Sequence, residues 1–240
     1  MASNTAVSPR PIILPPGSPT EFLSYVIAHC RFPSTVVICC PRQDFATALT
    51  NDTLPPQGPP DDPQKPETGE VPTQKHPLLR QTLVQIAVSR HIRIVFTSSV
   101  THFSAWTSVF SPSDLRLPAP PVPESSDYPT LLVYGLIGLH RDTSEWSAQG
   151  LGSSIATLID AAAQHRFRAV LMEPKIDKPP QDESEKDAEP GAESFEDEQL
   201  PLLKGIGMRE DGTWAGRTIE LRRVLGRWFE LDQHDEVHGT

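Results

Sequence analysis

PIILPPGSPTEFLSYVIAHC, residues 11–30, sets a short apolar run, a turn and a helical pattern end to end. Ile12 to Leu14 have the character of a buried strand. Pro15, Pro16, Gly17, Ser18 and Pro19 are turn chemistry, with proline fixing φ and glycine free to take φ values that other residues avoid. Thr20 is expected to cap a helix running to Arg31, with Glu21 at the positive end of its dipole. Phe22, Leu23, Val26, Ile27 and Cys30 recur at helical spacing. Strand, glycine turn and helix make the scaffold of a phosphate-binding loop. Such a loop needs a lysine to reach the phosphates, and the first lysine in the chain is Lys65.

The rest of the chain alternates in the same manner. Thr35–Cys40 is a continuous β-branched and cysteine run, the mark of a strand buried on both faces. Gln43–Leu49 suits a short helix. His76–Arg90 puts Leu78, Leu79, Leu83, Ile86 and Ala87 on one helical face. Ile92–Phe96 reads as a strand, Ser99–Phe110 as a helix and Leu131–Tyr134 as a buried strand. Ser153 or Ser154 is expected to cap a helix to about residue 165, followed by the strand Ala169–Met172. Thr218–Leu231 reads as two strands around Gly226. This alternation predicts an α/β fold with a mostly parallel central sheet.

Composition separates a core from its insertions. The 240 residues carry 26 prolines, about twice the usual share of roughly 5%. Three stretches, 51–75, 111–129 and 174–201, are rich in proline or acid and poor in apolar residues, so they are expected to be disordered insertions. They interrupt one domain spanning 10–232, with flexible termini at 1–9 and 233–240. Residues 174–201 hold ten acids against three lysines, and 51–75 hold five against two. These two stretches account for the whole formal charge of −10, which therefore says little about the folded surface. No apolar run reaches the ~20 residues of a membrane helix, and no signal pattern opens the chain, so a soluble intracellular protein without membrane contact is expected. Cys30, Cys39 and Cys40 have no zinc-ligand spacing and are expected to be reduced and buried. No metal site is expected.

Other look-alikes fail on their own terms. His140-Arg141-Asp142 resembles a kinase catalytic loop, but the asparagine expected five residues after the aspartate is Ser147. Gly150-Leu151-Gly152-Ser153-Ser154 lacks the third glycine of a dinucleotide loop and does not directly follow a strand. A serine-capped helix start explains it. Arg222, Arg223, Arg227, Trp228 and Phe229 form a compact basic and aromatic cluster. It fits an edge strand with solvated arginines, a partner interface or a weak single-stranded DNA contact. Trp146, in the polar stretch RDTSEWSAQG, is a second candidate interface anchor.

Taken in order, five segments resemble the RecA-type core of the small recombinase paralogs that partner SWIM-domain proteins in Shu-type complexes. PIILPPGSPTEFLSYVIAHC is similar to their phosphate-loop segment and STVVICCPRQDFATAL to their second strand and helix. LLVYGL is similar to their divergent second ATPase motif, and SSIATLIDAAAQHRFRAVLMEP to the next helix and strand. GRTIELRRVLGRWFEL resembles the closing strands. The resemblance implies a single RecA-like, P-loop-NTPase-like domain whose ATP site is lost twice. The loop of Gly17, Ser18 and Thr20 has no lysine, and Tyr134 stands where a metal-binding aspartate belongs. It further implies a non-catalytic nuclear subunit of a homologous-recombination complex that supports recombinase filament assembly. No cofactor is expected, the partner would be a SWIM-domain or recombinase-family protein, and DNA contact would be indirect or weak. The acidic stretch 174–201 would itself repel phosphate. Three alternatives stay open: an α/β domain that never held nucleotide, an Elongator-type RecA-like subunit in cytoplasmic tRNA modification, and an α/β enzyme whose site has no sequence signature.

Overall fold

A computed structural model of the chain describes residues 9–30, 33–54, 76–80, 82–112, 128–175, 197–205, 207, 214 and 216–231. Its centre is a six-stranded sheet in which every pairing is parallel. The strands are β1 (Ile12–Ile13), β2 (Ser34–Ile38), β3 (Ile92–Phe96), β4 (Thr130–Tyr134), β5 (Arg168–Met172) and β8 (Glu230–Leu231), ordered β3-β2-β4-β5-β1-β8. A separate antiparallel pair joins β6 (Gln199–Pro201) to β7 (Thr218–Glu220). The α/β architecture expected from the alternating segments is the one observed.

Helices cover both faces. On one face lie α1 (Pro19–His29) and α2 (Arg42–Thr53), with α3 (Leu83–Ser89) against α1, and Phe22, Val26 and Phe45 of the first two pack on Val36, Ile38, Leu132, Tyr134, Val170 and Met172. On the other lie α4 (Val100–Ser108), α5 (Leu136–His140), α6 (Ala148–Gln164) and α7 (Leu221–Leu225). There Phe103, Leu151, Ile155, Leu158 and Leu221 pack on Val37, Leu131, Val133 and Leu171. All residues of β2 and β4 are buried because each strand has a neighbour on both sides and helices above and below. This double coverage is why their sequences are continuous apolar or β-branched runs.

Several local expectations are corrected. The cap of α1 is Ser18, not Thr20: its hydroxyl accepts from the Glu21 N–H while the Glu21 carboxylate accepts from the Ser18 N–H, closing a capping box with Pro19 in the first turn. The cap of α6 is Ser147, six or seven residues before the expected Ser153 or Ser154, so Gly150 to Ser154 lie inside the helix. Helix α2 runs on to Thr53, taking in the first three residues of the stretch 51–75, with Leu54 as its C-cap. His76–Arg90 divides into a 3-10 turn, Pro77–Arg80, and α3, and its face of Leu79, Leu83, Ile86 and Ala87 is exposed. The tail is β7, helix α7 and β8, since Leu221, Val224 and Leu225 are buried at helical spacing.

The third insertion is also narrower than expected at both ends. Pro174 bridges to Gly17, and Leu200 is fully buried in β6 against the α6 face. Residues 176–196 lie outside the described residues, as do 55–75 and 113–127, the termini 1–8 and 232–240, and Arg31 at the expected end of α1.

Candidate functional site

The carboxyl ends of β1, β4 and β5 meet at the loop Pro15–Ser18. This is the edge where open parallel sheets place their ligands. Gly17 is wedged there. Its N–H donates to the Glu173 carbonyl at 2.9 Å, its carbonyl accepts from the Lys175 N–H at 3.3 Å, and the Tyr134 hydroxyl donates to that same carbonyl at 2.9 Å. A Cβ on Gly17 would stand 2.9 Å from the Met172 sulfur, so close approach explains the glycine; its φ is not positive.

A phosphate cradle works by aiming free backbone N–H groups at one point. Each donor of this loop has another use. Pro15, Pro16 and Pro19 have no N–H at all. Gly17 donates to Glu173, Ser18 to the Glu21 carboxylate, Glu21 to the Ser18 hydroxyl and Phe22 to the Ser18 carbonyl. Thr20 donates its N–H to Asp52 Oδ2 at 2.9 Å and its hydroxyl to the same oxygen at 2.6 Å. Two carboxylates of the chain itself thus occupy the start of α1, where an anion would otherwise be welcome.

Charge settles these acids in place. Lys175 holds Glu21 through an ion pair at 2.7 Å, and that bond, with the Ser18 N–H, keeps the Glu21 carboxyl below its ordinary range. Partial burial opposes the charge on Asp52, but hydrogen bonds from Thr20 and Ser18 together outweigh it and lower its pKa. Tyr134 is shifted the other way: burial and the nearby acids Glu173, Asp52 and Glu21 push its phenol up, so it stays a neutral donor. A neutral phenol with its proton committed to Gly17 is no metal ligand. Among the described residues no group of His, Cys, Asp and Glu is placed to hold a metal ion.

Glu173, at the end of β5, was not singled out from the sequence. Its carboxylate is buried and accepts from the N–H groups of Ile137 at 2.9 Å and Gly138 at 3.3 Å, at the start of α5. Burial pushes its pKa up to about 7, against the pull of those N–H groups and of Arg141. Gly135, with φ of 82°, turns the chain from β4 into α5 and so aims those donors.

The anchors expected at an interface do not form one site. Trp146 lines a cleft of about 510 Å³ with Arg141, Asp142, Thr143, Glu198 and Trp214. Arg141 forks onto Glu198 with bonds of 2.7 and 2.6 Å and lies 5.1 Å from the centre of the Trp146 ring. None of Arg227, Trp228 and Phe229 lines that cleft. Phe229 is buried in the core, Trp228 is half-buried against it, and Arg227 is exposed.

His140 and Ser154 form a buried pair that the sequence spacing did not advertise. The His140 Nδ1–H donates to the Leu136 carbonyl at 2.8 Å, so its Nε2 accepts from the Ser154 hydroxyl at 2.9 Å. Burial lowers the His140 pKa and keeps the ring neutral. The histidine is 0% and the serine 3% exposed, so no substrate reaches them and the pair is structural. Cys30 and Cys39 are buried as expected, and Cys40 is half-buried. Burial pushes the thiols of Cys39 and Cys40 up, leaving them protonated.

No helix among the described residues is long and apolar enough to cross a membrane. No protein-family model matches the chain, and no curated protein matches it.

Proposed function

We propose that the protein is a non-catalytic subunit of RecA-like design that acts by assembly, within a homologous-recombination repair complex that supports recombinase filaments. The observation that carries the non-catalytic part is the closure of the loop: Tyr134 is bonded to Gly17, and each N–H of residues 17–22 is committed within the protein. The recombination setting rests on the resemblance of the five segments. The parallel sheet favours that reading, because the loop after β1 and the end of β4 are brought into contact although they are far apart in sequence. On this reading the partner is a SWIM-domain or recombinase-family protein in the nucleus, and DNA is held mainly through partners.

A second reading, an α/β enzyme, has the Trp146 cleft in its favour, since concave sites with aromatic and charged linings are where ligands bind. The Arg141–Glu198 fork weakens it, because each charge already satisfies the other. Affinity purification of the tagged full chain from cells, read by mass spectrometry, tests the proposal. Recovery of recombination subunits is expected. Recovery of tRNA-modification subunits in their place would overturn it.

A further inference from the structure

From the edge of the sheet, the geometry points to a docking face for an acidic, amphipathic helix of a partner protein, built by α3 and β3. The inference rests on reading the protein as an assembling subunit, and it names the surface and the chemistry that surface recognises.

Three observations combine. Leu83, Ile86, Ala87 and Arg90 follow one another at the spacing of a single helical face, and all four are exposed. Leu83 is 85% exposed and Ile86 39%, with Leu79 at 53% just before the helix. Ile94, on the strand that follows α3, is a further exposed aliphatic residue. It pairs with Val36 and lies in register with Ile92 and Phe96, so it belongs to the face covered by α1 and α2, yet it is 49% exposed. Covering helices leave this outermost strand half open. Clustered exposure of large aliphatic side chains marks a surface that another chain covers.

Charge decides what that chain carries. From His76 to Pro112 there is no Asp or Glu, in a protein with 31 acids. Arg80 and Arg90 flank the aliphatic residues, both are exposed, and among the described residues no acid pairs with either. An aliphatic stripe flanked by arginines that have no acid partner among the described residues is complementary to a helix with an apolar face and acidic borders. Nucleic acid fits less well, because the exposed apolar groups of this face are aliphatic and offer bases no ring to stack on.

The test uses the full chain and fluorescent probes. One is a short helical peptide of leucine at i, i+3, i+4 and i+7 with glutamate elsewhere. The second has lysine in place of each glutamate, and the third is a single-stranded DNA oligonucleotide. The glutamate peptide should bind, more weakly as salt rises, and the lysine peptide should not. Leu83→Ser and the double variant R80E/R90E should each weaken that binding by about tenfold or more while melting with the parent, since all three side chains are exposed. Equal binding of the two peptides, or binding of neither, would overturn the inference. So would DNA binding that is lost in R80E/R90E and kept in Leu83→Ser, which would assign the face to nucleic acid. Loss of this face with recombination subunits still co-purifying would leave the assembly reading standing. The reverse pattern would remove that reading and keep the face.

Discussion

The Tyr134 hydroxyl and the Gly17 carbonyl are 2.9 Å apart, and their hydrogen bond ties the end of β4 to the loop after β1. On the proposed RecA-like reading, the two residues stand where a nucleotide fold would keep its metal ligand and its phosphate cradle. Phe22 packs against the same tyrosine, with ring centres 4.3 Å apart, so the phenol is held from both ends. Removing the hydroxyl alone should expose its worth. Tyr134→Phe leaves the Gly17 carbonyl with the Lys175 N–H as its remaining donor, so the cost should be about 1 kcal/mol, read as a lower urea midpoint with unchanged slope. An unchanged midpoint would mean the bond contributes nothing.

The cap of α1 gives a second prediction. Ser18→Ala removes the acceptor for the Glu21 N–H and should cost about 1 kcal/mol. Thr20→Lys should also destabilise, for a different reason: it deletes the hydroxyl bonded to Asp52 at a buried position. It should restore no ATP binding, because the loop donors remain committed. Thermal melts of both variants, with an ATP titration of the second, check the pair. Regained nucleotide binding would show that the loop is a working cradle.

Glu173 predicts a dependence on pH. Its folded pKa of about 7 lies above the ordinary carboxyl value, so the folded state binds its proton more tightly than the unfolded chain does. Stability from this group is full below the unfolded value of about 4.3, and is lost as pH rises towards and through 7. Glu173→Gln carries no titrating proton there, so its advantage over the parent should grow from pH 5 to pH 8. Parallel stability profiles for the two proteins would contradict this. Glu21 and Asp52, with lowered pKa values, act with the opposite sign: their contribution is present at neutral pH and is lost as acid protonates them.

A deletion series separates the insertion from its anchored ends. Removing 177–196 should change the melting temperature by only a few degrees, since loop closure depends weakly on length and the contacts of Pro174 and Leu200 lie outside the cut. Removing 174–201 should abolish cooperative melting by taking β6 and the bridge to Gly17 with it. Leu200→Ala alone should cost about 2–5 kcal/mol.

What the sequence disclosed follows from how far apart the interacting residues lie. Thr35–Ile38 and Leu131–Tyr134 were legible as strands because a strand buried between neighbours is free of charge and mostly apolar or β-branched, a property of the segment itself. The capping box at Ser18 and Glu21 was within reach, three residues apart, but Thr20 drew attention to the wrong hydroxyl. Asp52 on Thr20, Tyr134 on Gly17 and Glu173 beneath α5 join distant positions, and nothing local announces such partners. That residues 17–20 hold no lysine and position 134 no acid could be read directly from the sequence. The way the protein fills the space around them with its own groups could not.

The most direct measurement is calorimetric titration of Mg-ATP into the purified full chain at neutral pH. With three prolines in the loop, its N–H groups committed and Tyr134 closed on Gly17, the account predicts no saturable heat. Saturable binding in the low-micromolar range would show that the loop opens to phosphate, and the central claim would be wrong.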